Sequence, residues 1–179
     1  MSKLVILDAG HGGKDGGAVN GTKHESVAAL AIAKKVGDQL NKKGVSVKFT
    51  RTKDKYVSLE ERCRISNECG ADVFVSIHLN AAENKAAHGV ETWRYENVGA
   101  ETKALADNVQ TELIAATGWR NRGVKTTTTL YVLKHTKAPA VLIECGFISN
   151  DGEAKNLFAE KYQNKIAAAI AEGVCKTLA

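Results

Sequence analysis

Proline is nearly missing from this chain, with Pro139 the single instance. No Gly/Ser tract, charge block or repeated segment breaks it up either. Nothing therefore marks a linker, a low-complexity region or a repeat array, and residues 1–179 read as one domain. No run of 18 apolar residues occurs, and no apolar stretch opens the chain. The expectation is a protein with no membrane insertion and no export signal of its own, made in the cytoplasm. The cysteines (Cys63, Cys69, Cys145 and Cys175) form no CxxC pair, which argues against a cysteine-held metal. Free thiols in a chain of this size fit synthesis in a reducing compartment. Aromatic residues make up 6% of the chain, too few for a base-stacking surface. The net charge of +5 favours an anionic partner. The lysines sit in short, scattered groups (Lys34–Lys35, Lys42–Lys43, Lys53 and Lys55) that read as solvated surface, so no nucleic-acid partner is expected.

What is present is a 44% hydrophobic complement arranged in alternating patterns. Short apolar runs at Leu4–Leu7, Val45–Phe49, Val73–Ile77 and Val141–Ile143 predict strands, with weaker candidates at Val90–Tyr95 and Leu130–Leu133. Helical spacing predicts helices over Ser26–Asn41, Leu59–Cys69, Thr102–Ala116 and Lys161–Leu178, the first three closed by Gly44, Gly70 and Gly118. The order β–α–β–α–β–β–α–β–β–α predicts an α/β domain of three layers, with buried strands covered on both faces by helices. In such sheets ligands bind beyond the carboxyl ends of the strands.

Polar chemistry sits at those ends. "LVILDAGHGG" delivers Asp8 and His11, "VFVSIHLNA" delivers His78 and Asn80, and "AVLIECGF" delivers Glu144. Glu25 opens the first long helix. Each has a plainer reading when taken singly: His11 as a turn residue, His78 as a satisfied core imidazole, Glu25 as a first-turn acid favoured by the helix dipole. Glu144 is harder to dismiss, because a carboxylate placed directly after an apolar strand needs a partner. Taken together, His11, Glu25 and His78 form a His₂Glu set of the kind that holds zinc and leaves one position open. Glu144 is then a carboxylate beside the metal, suited to take a proton from water. His24 is a rival to Glu25 as ligand. A phosphate loop is the weaker alternative for the first turn, since "GHGGKDGG" has neither the Walker spacing nor G-x-G-x-x-G with its acid.

The chain resembles the zinc-dependent N-acetylmuramoyl-L-alanine amidases of the Amidase_3 type. The resemblance rests on "ILDAGHGGKDGGA", "GTKHESVAALAIA", "SLEERCRISNECGADVFVSIHLNA", "GVETW", "NRGVK" and "LYVLKHTKAPAVLIECGFISN", in that order. It implies a twisted, mostly parallel six-stranded sheet flanked by helices. It further implies one zinc per chain on His11, Glu25 and His78, with Glu144 as catalytic acid/base. The implied reaction is cleavage of the bond between N-acetylmuramic acid and L-alanine in bacterial peptidoglycan. The short stretch between His78 and Trp93 leaves no room for the inserted blocking helix that some members carry. The resemblance further suggests an endolysin- or autolysin-like enzyme that reaches the wall after holin-type release or cell lysis, with a C-terminal or separate wall-binding module as partner. Asp8 and Asn80 are expected beside the ligating imidazoles, Asp8 alternatively as a helper of turn geometry. Arg122 and Lys125, on a polar loop from Asn121 to Ala138, are expected to pair with carboxylates of the stem peptide. Two other readings compete: a zinc peptidase cutting within the stem peptide, and a binding module with degenerate chemistry.

Overall fold

Buried apolar runs become strands because each fills one layer between helices, and the computed structural model, which describes residues 3–179, follows that logic. From the amino end, β1 (Leu4–Ala9) leads to a small pair, β2 (Val19–Asn20) and β3 (Lys23–His24). Then come α1 (Glu25–Lys42), β4 (Ser46–Phe49), α2 (Leu59–Cys69), β5 (Val73–Asn80) and β6 (Val90–Tyr95). After α3 (Ala100–Thr117) follow β7 (Asn121–Thr127), α4 (Tyr131–His135), β8 (Ala140–Phe147), α5 (Asp151–Leu157) and α6 (Glu160–Leu178).

The main sheet has six strands in the order β4-β1-β5-β8-β6-β7. The first four are mutually parallel, β6 runs antiparallel to β8, and β7 runs parallel to β6. Side chains alternate between faces along each strand. Val5, Leu7, Val73, Val75, Val141 and Ile143 therefore pack beneath α1, α3 and α6. Ile6, Phe74 and Leu142 face the other way, toward Cys63 of α2 and Val132 and Leu133 of α4. This is the expected three-layer α/β architecture.

Two expectations need correction. Leu130–Leu133 is not a strand: Val132 and Leu133 turn inward on the short helix α4, where they bury against the sheet. The sixth strand is instead β7, within the stretch that reads as a loop. An edge strand pairs on one side only and keeps polar residues outward, so it lacks an apolar signature. Helix α5 also went unpredicted; Asn150 caps it by accepting from the Glu153 backbone N–H.

Behind the β1 carboxyl end lies a buried charge cluster. Asp8 and Arg62 are 1% and 3% exposed, with Arg62 Nη1 2.7 Å from Asp8 Oδ1. Thr50 and Ser76 donate to the same carboxylate, each at 2.7 Å. Arg62 also donates to the carbonyls of Ala9 (2.7 Å) and His11 (2.8 Å), and Arg51 to those of Ala9 (2.9 Å) and Gly10 (2.8 Å). Arg62→Ala should cost about 3–5 kcal/mol of stability, because it strands a buried carboxylate as well as these carbonyls. A urea midpoint within error of wild type would contradict this account.

Candidate active site

The face that carries Ile6, Phe74 and Leu142 turns polar toward the carboxyl ends of the parallel strands. Alternation places Asp8, Ser76, His78 and Glu144 on it. His78 stands opposite Glu144 across β5 and β8, and Glu144 stands opposite Glu91 across β8 and β6. Three neighbouring strands thus present an imidazole and two carboxylates in one row.

His11 reaches this row from the turn after β1. Its φ of 60° is an unusual conformation for a non-glycine residue. The two arginines that take the surrounding carbonyls hold it there. Its Nδ1 donates to Asp15 Oδ2 at 2.8 Å, which leaves Nε2 facing Glu25 Oε2 at 3.1 Å. Glu25, the first residue of α1, is buried, and it spans both imidazoles: His78 Nδ1 lies 3.0 Å from Oε1. The backbone N–H groups of Ala18 (2.9 Å) and Leu79 (3.0 Å) fix the two carboxylate oxygens. Gly10 makes room for this arrangement, since a Cβ there would stand 2.4 Å from His78 Cε1.

One donor atom from each of His11, Glu25 and His78 lies within 4.8 Å of the others. Two imidazole nitrogens and a carboxylate suit a borderline divalent cation, and three protein ligands leave one position free. Glu144 stands beside the cluster outside the ligand set. Its Oε2 is closed off from solvent and has no hydrogen-bond partner. A buried acceptor of that kind fits a site built around a cation and its water. Burial lifts the Glu144 carboxyl to about 7, and the charges of Glu25 and Glu91 add to the rise against the opposing pull of His78. The residues present therefore fit a bound divalent metal.

Burial disfavours the charged form of His11, but hydrogen bonds and charge from Glu25 and Asp15 outweigh it and raise the imidazole to about 9. Glu25 is held well below the usual carboxylate range by both imidazoles, against the effect of its burial. In the metal-free protein the raised His11 contributes stability that is full below about pH 6.5 and lost as pH rises through 9. A metal needs the neutral imidazole, so protons compete with it. Metal binding at pH 7 should release about one proton from His11, and affinity should climb about tenfold per pH unit toward 9. Titration calorimetry in buffers of different ionisation enthalpy measures the release directly. No proton uptake by buffer would show that His11 binds metal without a proton to lose.

The remaining predicted residues fall in different places. Asp8 touches no imidazole: its oxygens serve Arg62, Thr50 and Ser76, so its place is behind the turn. The oxygen acceptor on His11 is Asp15, which sequence reading missed although it lies four residues on in the same turn. Asn80 likewise touches no imidazole; its Nδ2 donates to Glu91 Oε1 at 3.0 Å. Arg122 joins the same carboxylate through Nε, 2.8 Å from Glu91 Oε2. Lys125 is exposed further along β7, opposite Trp93. Glu91 is the second residue missed, and its signal was an acid alternating with Trp93 in "VETW". His24, the rival ligand, is exposed and outside the cluster. Residues 81–89, between β5 and β6, hold no helix, in keeping with the expected lack of a blocking segment.

An α/β sheet with a cluster at its rim that could hold a metal, and beside it a carboxylate with one oxygen shielded from solvent, fits a hydrolytic enzyme. The chain belongs to the N-acetylmuramoyl-L-alanine amidase family, Amidase_3, whose profile matches residues 5–176. It is 42% identical over 186 residues to the endolysin of Bacillus phage SPP1, covering 99% of this chain and 67% of that protein. It is 38% identical over 175 residues to the N-acetylmuramoyl-L-alanine amidase LytC of Bacillus subtilis, covering 97% of this chain but 35% of LytC. The crystal structure of an N-acetylmuramoyl-L-alanine amidase from Clostridium difficile superposes with a TM-score of 0.95 at 39% identity, covering 99% of this chain and 97% of that one. The chain is accordingly an amidase of this family, acting on a carbon–nitrogen amide bond.

Proposed function

We propose that residues 1–179 form one catalytic domain that hydrolyses the amide between N-acetylmuramic acid and L-alanine in peptidoglycan, with one zinc ion held by His11, Glu25 and His78. The observation that carries this reading is the three-residue donor cluster with the unpartnered Oε2 of Glu144 beside it. Zinc, when bound, supplies Lewis acidity, which polarises a carbonyl and brings the pKa of water to about 7.

The chain's own residues do the rest. Glu25 keeps both imidazoles aimed at one point through its two anchored oxygens. Asp15 holds His11 Nδ1, so that Nε2 is the atom turned toward Glu25 and the proposed metal position. Glu144 takes a proton from the attacking water on a carboxylate oxygen and passes it to the leaving alanine nitrogen. Asp8 supports the turn through Arg62 and does not take part in the proton transfer.

This function places the site of action in the bacterial wall, reached by release or lysis. A wall-binding module, on the same chain or a separate one, would raise the local substrate concentration. No helix among the described residues is long and apolar enough to cross a membrane.

Mass spectrometry of digested peptidoglycan tests the reading. New amino-terminal alanine and intact muramic acid should appear, and a chelator should abolish both. Products cut within the stem peptide would assign the site to a peptidase instead, and chelator-resistant activity would exclude the metal.

A further inference from the structure

Arg122 occupies a special place in the sheet. Val90 pairs with Asn121 and Glu91 with Gly123, so Arg122 is the extra residue of a β-bulge between β6 and β7. Gly123 permits the bulge with a φ of +80°, a conformation that a side chain would resist. Bulges of this kind re-aim a side chain, and here the guanidinium is held on two sides. Nε donates to the buried Glu91 carboxylate at 2.8 Å, and the guanidinium carbon stands 4.9 Å from the Phe147 ring. Nη1 makes a long contact of 3.5 Å with the His88 carbonyl. Nη2 makes no hydrogen bond among the described residues, although the side chain is 29% exposed.

We propose that Arg122 is the specificity-determining residue of the site. It recognises the free carboxylate of the stem-peptide residue that follows L-alanine and discriminates against the corresponding carboxamide. The proposal rests on the amidase reading for the position of the scissile bond.

Position and chemistry both support it. Glu91, which holds Arg122, stands directly opposite Glu144, so the arginine is on the same rim as the proposed proton-transfer group. β7 lies two strand spacings from β8, about 10 Å. A peptide held with its first amide at Glu144 advances about 3.5 Å per residue. An acidic side chain on the second residue, met by an arginine arm, closes the remaining distance. A guanidinium already stacked and anchored loses little freedom on binding a carboxylate, and its planar donors suit that anion. Lys125 sits three residues further along β7, about 10 Å away, with no comparable anchor. This separates two basic residues that look equivalent in sequence.

The test uses two muropeptides that differ only in whether the second stem residue carries a free carboxylate or a carboxamide. Zinc-loaded wild-type protein should show a KM about tenfold lower for the free acid, with kcat within about twofold. Arg122→Gln should abolish the preference, bringing the ratio of the two KM values from about tenfold to about one, whatever it does to the two substrates in common. Calorimetry on Glu144→Ala protein, which does not consume the ligand, should show the same tenfold preference in Kd. Equal KM values in wild type, or an Arg122→Gln loss equal for both substrates, would overturn the proposal. If neither muropeptide is cut but the free acid binds about tenfold more tightly, recognition stands and the amidase reading falls. If neither is cut and both bind alike, both readings fall.

Discussion

Glu144→Ala protein should hydrolyse peptidoglycan about 10²–10⁴-fold more slowly than wild type, the usual range for loss of a general base, while retaining its metal. The argument is positional. Glu144 is outside the set of donor atoms that converge from His11, Glu25 and His78, so its removal takes away proton transfer and leaves the ligands intact. The Ala variant should fold and keep its metal even as kcat collapses. Metal content, kcat and melting temperature measured on one preparation separate the roles. Full kcat would remove Glu144 from the chemistry, and a variant without metal would make it a ligand.

His78→Ala should be the opposite case: activity falls to background because metal no longer binds at stoichiometric amounts. His78 is one of the three proposed ligands, and its loss also frees Glu25 Oε1 from the imidazole beside it. The physical readout is thermal. Metal at about 100 times its Kd adds about 2.7 kcal/mol to wild-type stability. For a chain of this length each kcal/mol raises the melting temperature by about 2–4 °C, so saturation should add about 5–10 °C. His78→Ala and His11→Ala should show almost no shift at the same concentration. A variant that melts like wild type and still takes up one metal per chain would mean that the cluster is not the metal site.

Helices α2 and α6 were legible almost to the residue, because apolar periodicity is a local signal and, for α2, so are the caps Ser58 and Gly70. The strands β1, β5 and β8 were legible as runs but extend further toward the site, because each continues through a polar residue (Asp8, His78 and Glu144) that interrupts the apolar pattern. Edge strand β7 was hidden, for its polar sequence makes sense only once β6 lies beside it. Arg62, on α2, carries no sequence signal of its place, yet it is one of the most deeply placed charges among the described residues. Asp8 is expected from sequence either beside an imidazole or as a helper of turn geometry; its carboxylate accepts from Arg62, 54 residues away, and touches neither imidazole.

Sequence alone determined the α/β alternation and singled out His11, His78 and Glu144 as candidates, because each shows in its immediate neighbours: an apolar run followed closely by a histidine or an acid. Tertiary structure decided which of these groups meet. The pairing of Glu25 with His78 spans 53 residues, and the row His78–Glu144–Glu91 depends on strand register. A one-residue slip in that register would turn every one of these side chains to the other face, so no local pattern encodes their meeting.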